Sequence, residues 1–99
     1  MIRHIVFFKF KPEITEEQKN KLLEDLKKLK KKIPLIQRLE VEFDIGKKPN
    51  SFDLALNSDF SSWEDVEKYS IHPDHIKVVE FIKEISDDVC KVDYEVIKN

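Results

Sequence analysis

The sequence predicts an α+β sandwich, a four-stranded antiparallel sheet with helices packed on one face. Three observations lead there. Segments 2–10, 35–46, 52–60 and 89–97 alternate or cluster β-branched, aromatic and aliphatic residues, a pattern that favours strands. Between them lie segments with apolar residues at helical spacing, the mark of amphipathic helices. The order is β-α-β-β-α-β, the split βαβ arrangement of ferredoxin-like domains. One glycine and four prolines in 99 residues leave little material for irregular loops, and this length suits one domain over residues 1–99.

The first strand, 2–10, carries His4, Val6, Phe8 and Phe10 on one face and Arg3, Ile5, Phe7 and Lys9 on the other. Large apolar groups on both faces predict a central strand covered on both sides. Thr15-Glu16-Glu17-Gln18 is a capping-box pattern. It opens a helix whose stripe is Leu22, Leu26, Leu29 and Ile33, with Glu17–Lys21 and Glu24–Lys28 as favourable pairs on the wet side. Pro34 stops it. In 35–46, Leu39, Val41, Phe43 and Ile45 alternate with charges, and Lys47-Lys48-Pro49-Asn50 forms a turn. In 52–60, Phe52, Leu54, Leu56 and Phe60 share a face opposite Asp53, Ala55, Asn57 and Asp59.

Ser61-Ser62-Trp63-Glu64 caps a short helix to Tyr69 that turns Trp63, Val66 and Tyr69 inward. Pro73 suits the first position of the next helix, which runs to about Ser86 with His75, Val78, Val79, Ile82 and Ile85 facing the sheet. The last strand, 89–97, sets Cys90, Val92, Tyr94 and Val96 opposite Lys91, Asp93 and Glu95. The charged set is expected on the face without helices, with Arg3, Lys9, Arg38, Glu40, Glu42, Asp53 and Asp59. Ile5 and Phe7 stand among those charges and predict a homodimer through that face.

Composition excludes several classes. Net charge is −2, 18 basic against 20 acidic residues, so no global basic field exists to hold nucleic acid. The run Lys27-Lys28-Leu29-Lys30-Lys31-Lys32 falls where a helix ends, and cations there complement the helix dipole. A single cysteine, Cys90, excludes an intrachain disulfide framework, and its valine neighbours suggest a buried, inert thiol. No apolar run approaches the roughly 18 residues of a membrane span, and the N-terminus does not read as a signal peptide. A cytoplasmic protein without membrane partners is the resulting expectation.

Chemistry concentrates in Tyr69-Ser70-Ile71-His72-Pro73-Asp74-His75, which holds two of three histidines and one of two tyrosines. Histidine exchanges protons near neutral pH, and a tyrosine hydroxyl both donates and accepts. His72 precedes proline and is expected to be extended, near the N-cap. His75 faces the sheet in the first turn, where burial and the helix dipole disfavour its charged form. A neutral His75 is a candidate general base, with Tyr69 as its polar companion. His4 lies on the strand face assigned to the helices, and His72, Val78, Val79 and Trp63 are expected around the same pocket. No Gly-rich phosphate loop, nucleophile elbow or CxxC is present. His4, His72, Asp74 and His75 match no zinc spacing, so neither metal nor other cofactor is expected.

These residues resemble the stress-responsive dimeric α/β-barrel family, the Dabb domains, along essentially the whole chain. The likeness rests on Ile2-Arg3-His4-Ile5-Val6-Phe7-Phe8-Lys9-Phe10-Lys11, on Tyr69-x-x-His72-Pro73-x-His75, and on Val92-Asp93-Tyr94-Glu95-Val96. The resemblance implies a ferredoxin-like fold and a homodimer whose two sheets form a barrel. A plant polyketide cyclase of the family uses a histidine and a tyrosine between sheet and helices. By motif those roles would fall on His75 and Tyr69, with His4 lining the pocket, while many members have no assigned reaction. Three functions are therefore in play: a binder of a small, partly apolar or aromatic molecule; a cyclase, lyase or isomerase moving one proton; and a purely structural stress protein.

Overall fold

The computed structural model describes residues 1–97. Its elements are β1 (Ile2–Phe10), α1 (Glu16–Lys32), β2 (Arg38–Phe43), β3 (Leu54–Phe60), α2 (Trp63–Ser70), α3 (Pro73–Ile85) and β4 (Ser86–Glu95). The four strands form one antiparallel sheet in the order β2-β3-β1-β4. The apolar first strand is central, as its two-sided character predicts, and the helices lie on the face of His4, Val6, Phe8 and Phe10, all buried.

Local chemistry starts each helix where the sequence indicates. The Thr15 hydroxyl accepts from the Gln18 amide at 3.1 Å, while the Gln18 side chain accepts from the Thr15 amide at 3.0 Å. This reciprocal cap satisfies two donors that a bare helix end leaves unpaired. Ser62 caps α2 through the Asp65 amide. The His72 ring caps α3, its Nδ1 accepting from the Asp74 amide at 3.1 Å, with Pro73 behind it. On the wet side of α1, the ion pairs are Lys19–Glu16 and Lys21–Asp25 rather than those read from spacing alone.

The core is a single layer between sheet and helices. Leu22, Leu26, Leu29 and Ile33 of the α1 stripe are all at most 1% exposed and meet Phe8, Leu54, Leu56 and Phe60 from the sheet. Each such burial contributes about 1.5–3 kcal/mol, so α1 is held mainly by this stripe.

Three expectations are corrected. β2 ends at Phe43 and Ile45 is 96% exposed, because Asp44 turns the chain by accepting the Lys47 amide, with Lys47 at φ 49°. β3 begins at Leu54, not Phe52. The Phe52 ring sits 6.0 Å from Phe7, on the face away from the helices, since Asp53 is pinned between the Phe8 carbonyl and the Phe10 amide.

The third correction is the largest. β4 starts at Ser86, immediately after α3, and its parity is inverted. Cross-strand partners are His4–Asp93, Val6–Lys91, Phe8–Val89, Ile5–Val92 and Phe7–Cys90. Opposed residues of an antiparallel pair share a face, so Lys91 and Asp93 lie under the helices. Cys90, Val92 and Tyr94 join Ile5 and Phe7 on the open face, and Cys90 is exposed rather than buried. Alternation fixes only which residues of β4 share a face; the pairing with β1 decides which face that is.

The open face also holds an ion cluster. Asp59, only 4% exposed, accepts from the Arg3 guanidinium at 2.8 and 3.1 Å and from Arg38 Nε at 2.8 Å. These donors hold the Asp59 carboxyl far below the ordinary carboxylate range, against the opposing effect of burial.

Candidate functional site

Between the sheet and the α2–α3 pair lies a cavity of about 330 Å³. Val6, Phe8, Leu26, Leu56, Val66 and Ile82 wall it with apolar surface, and His4, Tyr69 and His75 supply its polar end. Each of these three comes from a different element. His4 is carried by the central strand, Tyr69 by the last turn of α2, and His75 by the first turn of α3.

Tyr69 is near both imidazoles. Its ring centroid is 4.2 Å from that of His75 and 6.0 Å from that of His4, and Phe60 packs 5.0 Å away on the same ring. Burial pushes the Tyr69 phenol well above its ordinary range, so at neutral pH it is a hydroxyl donor. His75 Nδ1 lies 3.1 Å from the Ser70 carbonyl. A carbonyl only accepts, so Nδ1 carries the hydrogen and Nε2 is the free acceptor. Burial lowers the His75 pKa from its ordinary 6.5, opposed by the Ser70 bond and reinforced by the charges of His4, Lys91 and His72. A neutral imidazole beside a protonated phenol in an apolar chamber is able to accept one proton and donate another hydrogen bond.

Val79 and Trp63 line the same cavity, Trp63 being 51% exposed at its rim instead of turned inward. His72 and Val78 fall outside the lining. The His72 ring is engaged in capping, and Val78 packs into the core. Among the described residues, no group of three or more His, Cys, Asp and Glu side chains is placed to hold a metal ion. Among the same residues, no helix is long and apolar enough to cross a membrane.

Sequence reasoning missed Lys91 and Asp93, which also line the cavity. Reading β4 by polarity placed them on the wrong side. No local signal finds them: the register shifts where β4 begins, opposite Lys9 and Phe10, and the side taken by Lys91 and Asp93 is set by their pairing with Val6 and His4. Asp93 Oδ1 is 2.6 Å from His4 Nδ1.

The model of the Stress responsive A/B Barrel Domain matches residues 2–96. The chain is 30% identical over 95 residues, 95% of its length, to a stress-response A/B barrel domain-containing protein of Arabidopsis thaliana, and spans 36% of that protein. A dimeric protein of unknown function and ferredoxin-like fold from Bacteroides fragilis superimposes with a TM-score of 0.83 and 31% identity, over 96% of this chain and 95% of that one. The hydroxynitrile lyase from Passiflora edulis shares the fold with a TM-score of 0.89 at 20% identity, over 99% of this chain and 94% of that one. With the sheet order, the cavity and the match over residues 2–96 together, the chain belongs to the stress responsive A/B barrel domain family.

Proposed function

We propose that this protein is a homodimeric domain that binds a small, partly apolar molecule in the cavity beneath α2 and α3. The observation that carries the reading is the chamber itself. At about 330 Å³ it is near the lower end of the roughly 300–1,000 Å³ of small-ligand sites, and it has the mixed character of such sites, apolar walls and a few convergent polar groups. Dimerisation rests on the open sheet face, where Phe7, Val92 and Tyr94 are 41%, 51% and 43% exposed in the single chain. The similar Bacteroides fragilis protein is described as dimeric.

A test is titration with small aromatic alcohols and aldehydes, followed by NMR through His4, Tyr69 and His75. Shifts confined to the cavity residues and lost in Val79→Trp, which fills the chamber, support binding. Ligands that leave these resonances unmoved return the protein to a purely structural role.

The neutral His75 beside Tyr69 favours a second reading, an enzyme of the lyase, isomerase or cyclase type in which His75 Nε2 takes a proton and the Tyr69 hydroxyl stabilises developing oxyanion charge. For a substrate found in such a screen, His75→Ala abolishes turnover while the fold and dimer persist. Tyr69→Phe lowers turnover through loss of one hydroxyl. Binding without any turnover leaves the first reading alone.

A further inference from the structure

We infer that Asp93 is a positioning residue that fixes the tautomer of His4, making His4 Nε2 a second proton-exchanging atom in the cavity that Tyr69 and His75 also line. The inference rests on the cavity being a ligand site and adds a residue to it.

The inverted parity of β4 is what makes the arrangement. His4 and Asp93 are directly opposed across the β1–β4 ladder, and their side chains are 9% and 15% exposed. At 2.6 Å the contact is short, as expected when an ionised group takes part. An ionised carboxylate only accepts, so the hydrogen of this bond belongs to His4 Nδ1. Whatever the charge of the ring, Nε2 is then the atom that gains and loses a proton. This is the role of a carboxylate that orients an imidazole for catalysis or for metal binding, applied through Nδ1.

The His4 ring is also held sterically. Phe60 and Tyr69 stand edge-on to it at 6.3 and 6.0 Å, and its backbone carbonyl accepts from the buried Ser58 hydroxyl at 3.2 Å. His75 repeats the plan with a different anchor, its Nδ1–H bonded to the Ser70 carbonyl. The site thus holds two imidazoles, each tethered through Nδ1, both near one phenol. A substrate with two exchangeable protons, or one that must lose a proton at one atom and gain it at another, meets a separate nitrogen for each step.

The test needs no ligand. Long-range proton–nitrogen spectra of the uniformly ¹⁵N-labelled protein, recorded at a pH where the rings are neutral, report which nitrogen of His4 is protonated. Wild type is expected to show His4 protonated at Nδ1. Asp93→Ala, which removes the acceptor, is expected to reverse the order of the two His4 nitrogen shifts or to average them, with the His75 pair unchanged. Asp93→Asn, of the same shape, serves as the second variant, in which partial retention of the Nδ1–H form is expected. A wild-type His4 protonated at Nε2 overturns the inference without any variant. So does a folded Asp93→Ala whose His4 spectrum matches wild type. A correct tautomer in a protein that binds nothing in the small-molecule screen breaks the binding reading and leaves the role of Asp93 standing.

Discussion

The two faces of the sheet follow opposite rules. The face under the helices is apolar over most of its area, with Phe8, Leu54, Leu56 and Phe60 nearly inaccessible. Toward β4, however, it turns polar, with His4, Lys91 and Asp93 around the cavity. The open face is polar toward β2, where Arg3, Arg38 and Asp59 interlock. Toward β4 it is apolar, with Ile5, Phe7, Cys90, Val92 and Tyr94. Polarity therefore switches sides along the sheet. The side of a strand that looks wet in sequence is the side facing polar chemistry in the assembled protein, not always the side away from the helices. The proposed ligand site needs polar groups inside, and the proposed dimer surface needs apolar groups outside.

The contrast is most strongly tested at the solid part of the covered face. Leu29→Ala is expected to cost about 2–5 kcal/mol in chemical denaturation, because Leu29 is 1% exposed and joins the central cluster. A cost within about 0.5 kcal/mol, the level of ordinary surface changes, would mean that α1 does not cover this face.

The apolar half of the open face is tested by Phe7→Asp and Val92→Lys. Each is expected to raise the dimer dissociation constant at least tenfold, about 1.4 kcal/mol, as read by sedimentation. Lys91→Val, one residue away on the covered face, is expected to leave association unchanged. If Val92→Lys and Lys91→Val weaken the dimer equally, the division of β4 between a cavity side and an interface side is wrong.

The polar half of the open face has a pH signature. Asp59 is held well below its ordinary 3.8 by Arg3 and Arg38. A carboxyl whose folded pKa is depressed contributes stability that is fully present above its unfolded value and lost as pH falls toward the folded one. Stability is thus expected to decline below about pH 3.8, and Asp59→Asn, less stable at neutral pH, is expected to show a flatter acid limb.

The cavity gives the smallest effect. His75 has a folded pKa below its ordinary 6.5. As pH falls through that value the unfolded chain takes up a proton that the folded one refuses, so stability declines from about pH 6.5 down to the folded pKa and then levels. His75→Gln is expected to remove this slope in denaturation curves taken across the range. A slope that persists in His75→Gln would assign it to another group.

Much of this was legible in the sequence. The Thr15–Gln18 cap, the leucine stripe of α1, the Pro73 start of α3 and the central position of β1 follow from local rules, because each depends on residues within a few positions or on a simple period. The meeting of His4, Tyr69 and His75 was also accessible, since all three carry inward parity on elements that the topology stacks together. Trp63, Val78 and His72 were harder to place. A helix face reports direction only within a wide angle, and a ring that caps its own helix is not free to line a pocket.

Whatever a period or a cap encodes was written in the chain: the elements, their order, the α1 core stripe and the inward turn of His75. The register of β4 on β1 was settled by packing across the sheet. A strand has two faces of equal geometry, and a shift of one residue exchanges them. The choice depends on partners almost ninety residues away in the chain, where Asp93 meets His4 at a separation of 89. That long-range choice put a carboxylate into the cavity and an apolar stripe on the open face.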